Sequence, residues 1–173
     1  MNAAVATGIA ADRWAAHFDT VGICFSKGLG APVGSAIAGP SALIAEARRI
    51  RKVLGGGMRQ AGVLAAAALY ALEHHVPRLA DDHANARRLA DGIRVLGGLR
   101  LDPDQVDTNI VFFQVAPTLG SAADFSARLR RRGLLMNATG PTKIRAVTHL
   151  DVTGDHVARA LEILRQECLN PIP

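Results

Sequence analysis

Lys27 stands where an amine could do covalent work. It follows a short apolar run, residues 20–25, and opens the stretch Ser26-Lys27-Gly28-Leu29-Gly30-Ala31-Pro32, whose glycines and proline exclude regular structure. A strand end carries an amine to a fixed place, and glycines let the backbone approach a bound group closely. An amine partly withdrawn from water loses proton affinity, and its neutral fraction is the nucleophile that condenses with an aldehyde. Taken alone, the motif reads more simply as a solvated lysine before a glycine turn. The same holds for three other cations. Arg145 alone reads as a surface arginine on a strand, and Lys52 and Arg59 read equally well as solvated charges.

The histidines and cysteines point to no metal. His74 and His75 are adjacent in a helical stretch, so their side chains leave in different directions and cannot hold one ion together. His149 reads as a structural hydrogen-bonding residue. Cys24 and Cys168 are far apart, without CxxC or Cys/His spacing, and read as reduced thiols.

The elements that must position these groups follow from pattern. Residues 1–16 are Ala-rich and helical in character but begin without a capping residue. Residues 20–25 and 34–38 predict two strands close enough to pair, and Ser41 is placed to cap the next helix. In that helix Leu43, Ile44, Ala47, Ile50 and Leu54 recur at the helical period. Gly55-Gly56-Gly57 ends it, and an Ala/Leu helix then runs to about Gly92, with Pro77 kinking or splitting it. Beyond Gly97-Gly98 the pattern alternates: strand 109–115, helix 121–132 capped by Ser121, strand 144–147, and helix 153–167 capped by Thr153.

Composition narrows the class. The chain has 173 residues, 49% hydrophobic but only 4% aromatic, so its core must be built mainly from Ala, Leu, Val and Ile. Its longest apolar stretches fall far short of the roughly 20 residues that span a bilayer, and no basic, cleavable leader is visible. The expectation is a cytoplasmic protein without a membrane partner. The net charge of +5 comes mainly from helical runs (48–52, 87–88 and 128–132) with no aromatics between them. Such runs suit a solvated face or a small anion, and nucleic acid is not expected as a partner.

Three segments carry a resemblance. Ser26-Lys27-Gly28-Leu29-Gly30-Ala31-Pro32-Val33-Gly34-Ser35, Leu54-Gly55-Gly56-Gly57-Met58-Arg59-Gln60-Ala61-Gly62 and Tyr70-Ala71-Leu72-Glu73-His74-His75 lie in one order and spacing. Together they resemble the threonine aldolase/β-eliminating lyase family, and within it the low-specificity threonine aldolases. Ile144-Arg145-Ala146-Val147-Thr148-His149-Leu150-Asp151 resembles the C-terminal segment of that family, so the similarity covers nearly the whole chain.

The resemblance implies the C-terminal part of a fold-type-I pyridoxal-phosphate (PLP) enzyme of the α/β class. Residues 1–60 would be the end of the large PLP-binding domain, 61–97 a connecting helical segment, and 98–173 a small α+β domain. It implies that the lysine matching Lys27 holds PLP as a Schiff base, with Arg59 and Lys52 near its phosphate. The arginine matching Arg145 would grip the substrate carboxylate through two parallel hydrogen bonds. The implied reaction is cleavage of threonine or allo-threonine to glycine and acetaldehyde, with the cofactor as electron sink, in a homodimer or homotetramer.

The family also carries a phosphate-binding turn, a ring-stacking histidine and an Asp-Gly-Ala-Arg segment, upstream of the matched region. None occurs here, so Met1 is expected to be an internal methionine of a longer protein. Two rivals remain: a lyase that β-eliminates a related amino acid, and a non-catalytic fragment serving only in subunit association.

Overall fold

The computed structural model describes residues 1–169, and these divide into two compact units, one from Met1 to Leu79 and one from Ala80 onward. In unit 1 the first helical stretch is broken: α1 (Asn2–Thr7) stops at Gly8, whose φ of 69° ends a helix without penalty, and α2 (Ala11–Ala15) follows. The strands β1 (Val21–Cys24) and β2 (Ser35–Ala38) pair antiparallel, with Val21 opposite Ala38 and Cys24 opposite Ser35.

Next comes α3 (Ser41–Val53). Its N-cap position is Pro40 and no side-chain cap bond forms, so the expected Ser41 cap is corrected: Ser41 is already inside the helix. The expected Ala/Leu helix is two helices, α4 (Gly62–His74) and α5 (Leu79–Arg94). Pro77 lies in the break, where it offers no N–H and disfavours helical backbone at Val76. Four buried residues, Leu29, Ala31, Ala71 and Leu79, form the core of unit 1.

In unit 2, α5 leads to β3 (Leu99–Leu101), β4 (Ile110–Val115), α6 (Ala122–Arg131), β5 (Asn137–Ala138), β6 (Lys143–Val147) and α7 (Gly154–Leu169). The sheet is antiparallel in the order β3-β4-β6-β5. Burial alternates along it: Val111, Phe113, Val115, Ile144 and Ala146 face inward onto Ala86, Ile93, Phe125, Leu129, Val157 and Leu164 from the three helices. The other face, carrying Phe112, Gln114, Lys143 and Arg145, is left uncovered within the unit.

The caps of unit 2 match their sequence signals. Ser121 accepts the Asp124 N–H at 3.1 Å and Thr153 accepts the His156 N–H at 3.3 Å. Buried Glu167 ties α7 to α6, facing Arg128 at 2.9 Å and Arg132 at 2.6 Å.

Among the described residues no helix is long and apolar enough to cross a membrane, and no cluster of His, Cys, Asp and Glu could hold a metal.

Candidate active site

Within unit 1, Lys27 lies three residues beyond β1, exposed, on a turn. The Gly30 N–H closes that turn on the Lys27 carbonyl at 2.9 Å, and Gly30 has φ 70°, a backbone state that side chains rarely accept. A Cβ on Gly28 would come within 3.1 Å of Leu79, so glycine is needed there for close packing. The turn is anchored from the far end of α4: the His75 ring nitrogen Nδ1 lies 2.6 Å from the Leu29 carbonyl, and Arg78 donates to the Gly28 carbonyl at 3.5 Å. His75 and Arg78 are positioning residues that sequence reasoning missed, because 46 and 50 residues separate them from their partners.

Lys27 opens onto a cavity of about 520 Å³, also lined by Trp14, Phe18, Ile23 and Leu29. That volume lies within the roughly 300–1,000 Å³ usual for small-ligand sites. Among the described residues the Lys27 amine makes no hydrogen bond or ion pair. A free primary amine at an apolar cavity, on a backbone that approaches closely, fits a ligand held through an aldehyde carbon.

Lys52 and Arg59 flank the glycine turn after α3, and both are exposed. The Lys52 side chain lies across Gly57, where a Cβ would meet its Cδ at 2.7 Å, so the glycine makes room for the lysine stem. Gln60, next to Arg59, has φ 50°, a strained state for a residue with a side chain.

Within unit 2, Arg145 projects from the open sheet face. Antiparallel register sets it opposite Phe112 on one side and Asn137 on the other. Among the described residues its guanidinium makes no hydrogen bond or ion pair. The nearby acid is occupied: Asp102 accepts from the Gln114 amide at 2.6 Å and faces the Lys143 ammonium at 3.1 Å. These two partners, Gln114 first, hold the Asp102 carboxyl below its ordinary range. Lys143 also stands 5.1 Å above the Phe112 ring. His149 is exposed, and its Nδ1 accepts the Asp151 N–H at 3.4 Å, a local hydrogen-bonding role.

With this geometry in view, similarity to known proteins is informative. Residues 1–116 match the family model described as beta-eliminating lyase. Low-specificity L-threonine aldolase 1 of Arabidopsis thaliana is 39% identical over 97% of this chain and 47% of its own length. The chain spans about half the length of the curated relatives it matches.

Among solved structures, one chain assigned to the aromatic amino acid beta-eliminating lyases and threonine aldolases, from Exiguobacterium sp. 255-15, superposes with a TM-score of 0.78 at 23% identity. The match covers 96% of this chain and 49% of that one. A structure of "SPT with PLP internal aldimine" matches with a TM-score of 0.69 at 21% identity, over 87% of this chain and 39% of that one. At these identities the likeness speaks for the fold, which is the mixed α/β fold of the fold-type-I PLP enzymes.

Proposed function

Because this chain belongs to the beta-eliminating lyase family, we propose that it furnishes part of the active site of a PLP-dependent aldehyde-lyase, one that cleaves threonine or allo-threonine to glycine and acetaldehyde. The observation that carries the reading is the unpaired Lys27 amine on its glycine turn at the cavity, in a chain 39% identical to a low-specificity L-threonine aldolase.

Lys27 holds the cofactor through its amine, and Arg59 and Lys52 add positive charge for its phosphate. When bound, PLP supplies the electron sink for the bond broken at the substrate α carbon. Arg145 fixes the substrate carboxylate by a planar, two-pronged grip. The β-hydroxyl proton leaves as the Cα–Cβ bond breaks, and the α carbon regains a proton as glycine forms. In this reading residues 1–60 belong to the large domain, 61–97 connect, and 98–173 form the small domain. A cytoplasmic homodimer or homotetramer belongs to the same proposal, supported by apolar side chains exposed on and around α3 and α4 such as Val53, Leu54 and Val63.

The test uses the complete protein with PLP. Borohydride reduction and peptide mapping should label Lys27, and a label on Lys52 or Lys143 with Lys27 unmodified refutes the assignment. Arg145→Lys keeps the charge but loses the fork, and should lower kcat/KM by about 2–4 kcal/mol in transition-state terms. An unchanged kcat/KM removes the carboxylate role. The family's description also favours a second reading, β-elimination from a related amino acid. Substrate profiling separates the two by product: an aldehyde with glycine, or a 2-oxo acid with ammonia.

A further inference from the structure

We propose that Gln114 and Lys143 are positioning residues that sequester Asp102, keeping the Arg145 guanidinium open to a carboxylate ligand. This deepens the reading of Arg145 given above and rests on it.

The case is one of register. The Asp102 N–H bonds the Phe112 carbonyl at 3.0 Å, continuing the β3–β4 pairing, so Asp102 stands opposite Phe112. Phe112 in turn stands opposite Arg145. Residues directly opposite across antiparallel strands share a face. Asp102 and Arg145 are therefore the acid and base of one row, two strand spacings or about 10 Å apart at the backbone. Their side chains can close most of that distance over the Phe112 ring.

An aspartate and an arginine so placed would ordinarily pair, because the guanidinium offers a carboxylate two parallel donors where an ammonium offers a point charge. Here they do not pair. The neighbouring row holds Arg100, Gln114 and Lys143 in register, and two of its members draw the carboxylate away from Arg145. The Gln114 amide has its orientation set from behind, since its carbonyl accepts the Thr142 hydroxyl at 2.6 Å. Asp102 and Lys143 are both about one-third exposed, so their pairing is screened and modest. A small change can therefore hand the carboxylate to Arg145, which would then compete with any ligand for its own guanidinium.

Two measurements decide it. In this chain, carbon NMR titration of the Asp102 carboxyl needs neither cofactor nor turnover. In Lys143→Met, Gln114→Leu the carboxyl should stay below the ordinary carboxylate range because Arg145 has taken it. Adding Arg145→Met should then let it rise. A rise already present in the double variant overturns the proposal.

In the complete enzyme with PLP, Lys143→Met should raise KM for the amino acid about three- to tenfold, with kcat nearly unchanged. Lys143→Arg should preserve the parent KM, and Asp102→Asn added to Lys143→Met should restore it. A raised KM that Asp102→Asn does not restore overturns the proposal, even where Arg145→Lys has already established the carboxylate grip. The failure of Arg145 as a carboxylate ligand is read separately, from Arg145→Lys alone.

Discussion

The two units bury their apolar residues very differently. Among the described residues, one cluster in unit 2 unites nineteen buried residues from sheet and helices, while the core of unit 1 has four. Unit 1 exposes Trp14, Phe18, Ile37, Leu54 and Val63 among other large apolar groups, and is cut by openings of about 520 and 630 Å³. The candidate groups inherit this contrast. Arg145 rides on a sheet whose back is fully packed, so its starting direction is set by the fold. Lys27 depends on a turn held by a few backbone bonds and by His75 and Arg78. Local stability tracks buried contact, so the amine sits on the softer of the two supports.

The widest gap should appear when that contrast is attacked at the core. Phe113 is fully buried in the middle of β4, and Phe113→Ala should cost unit 2 about 3–5 kcal/mol, a large share of the roughly 5–15 kcal/mol that holds a domain folded. Denaturant unfolding measures it. In the parent chain, amides of β4 and β6 should exchange at least about a hundredfold more slowly than those of β1 and β2. Equal protection in the two pairs would break the comparison.

A smaller effect should follow pH. His83 on α5 is buried, and its pKa is lowered first by that burial and then by the Arg87 charge, with Asp82 opposing. Above the ordinary value of 6.5 the ring is neutral folded and unfolded, so unit 2 has its full stability. As pH falls through 6.5 the unfolded chain takes up a proton that the folded one refuses. Stability then declines, by at most about 1.4 kcal/mol per pH unit for one group, until pH reaches the lowered folded value. His83→Gln should flatten this slope below pH 6.5. A slope unchanged in that variant assigns the effect elsewhere.

Much of unit 2 is legible in the sequence because its elements are long enough to show a period. Residues 110–115 are a β-branched and aromatic run, residues 143–147 alternate, and Ser121 and Thr153 sit where their caps form. Strands β3 and β5 escape, since three residues and two cannot display alternation and exist only by pairing with neighbours. Ser41 misleads because Pro40 takes the cap position and turns the chain into α3 one residue earlier. The turn that carries Lys27 is readable from its glycines. What steadies it is not, because a ring nitrogen meeting a carbonyl 46 residues away leaves no local pattern. The Asp102 pairing is hidden for the same reason, being a product of strand register.

The finest distinction concerns the two thiols. Cys24 is exposed on β1, while Cys168 is half-buried on α7. Burial pushes the Cys168 thiol up to about 11, and the adjacent Glu167 carboxylate adds to the rise against the opposing charge of Arg128. Since the thiolate is the nucleophile, only roughly one Cys168 in a thousand is reactive at pH 8. Iodoacetamide at that pH should therefore modify Cys24 first and Cys168 at least about tenfold more slowly, with the Cys168 rate climbing about tenfold per pH unit up to 10. Glu167→Gln removes the second cause and leaves Arg128 in place, so it should speed Cys168 while Cys24 keeps its rate. Circular dichroism on the same samples guards against unfolding, because Glu167 also ties α6 to α7. Equal rates for the two cysteines at pH 8 in a chain that keeps its helical signal would show that the α7 face of unit 2 opens as readily as the strands of unit 1.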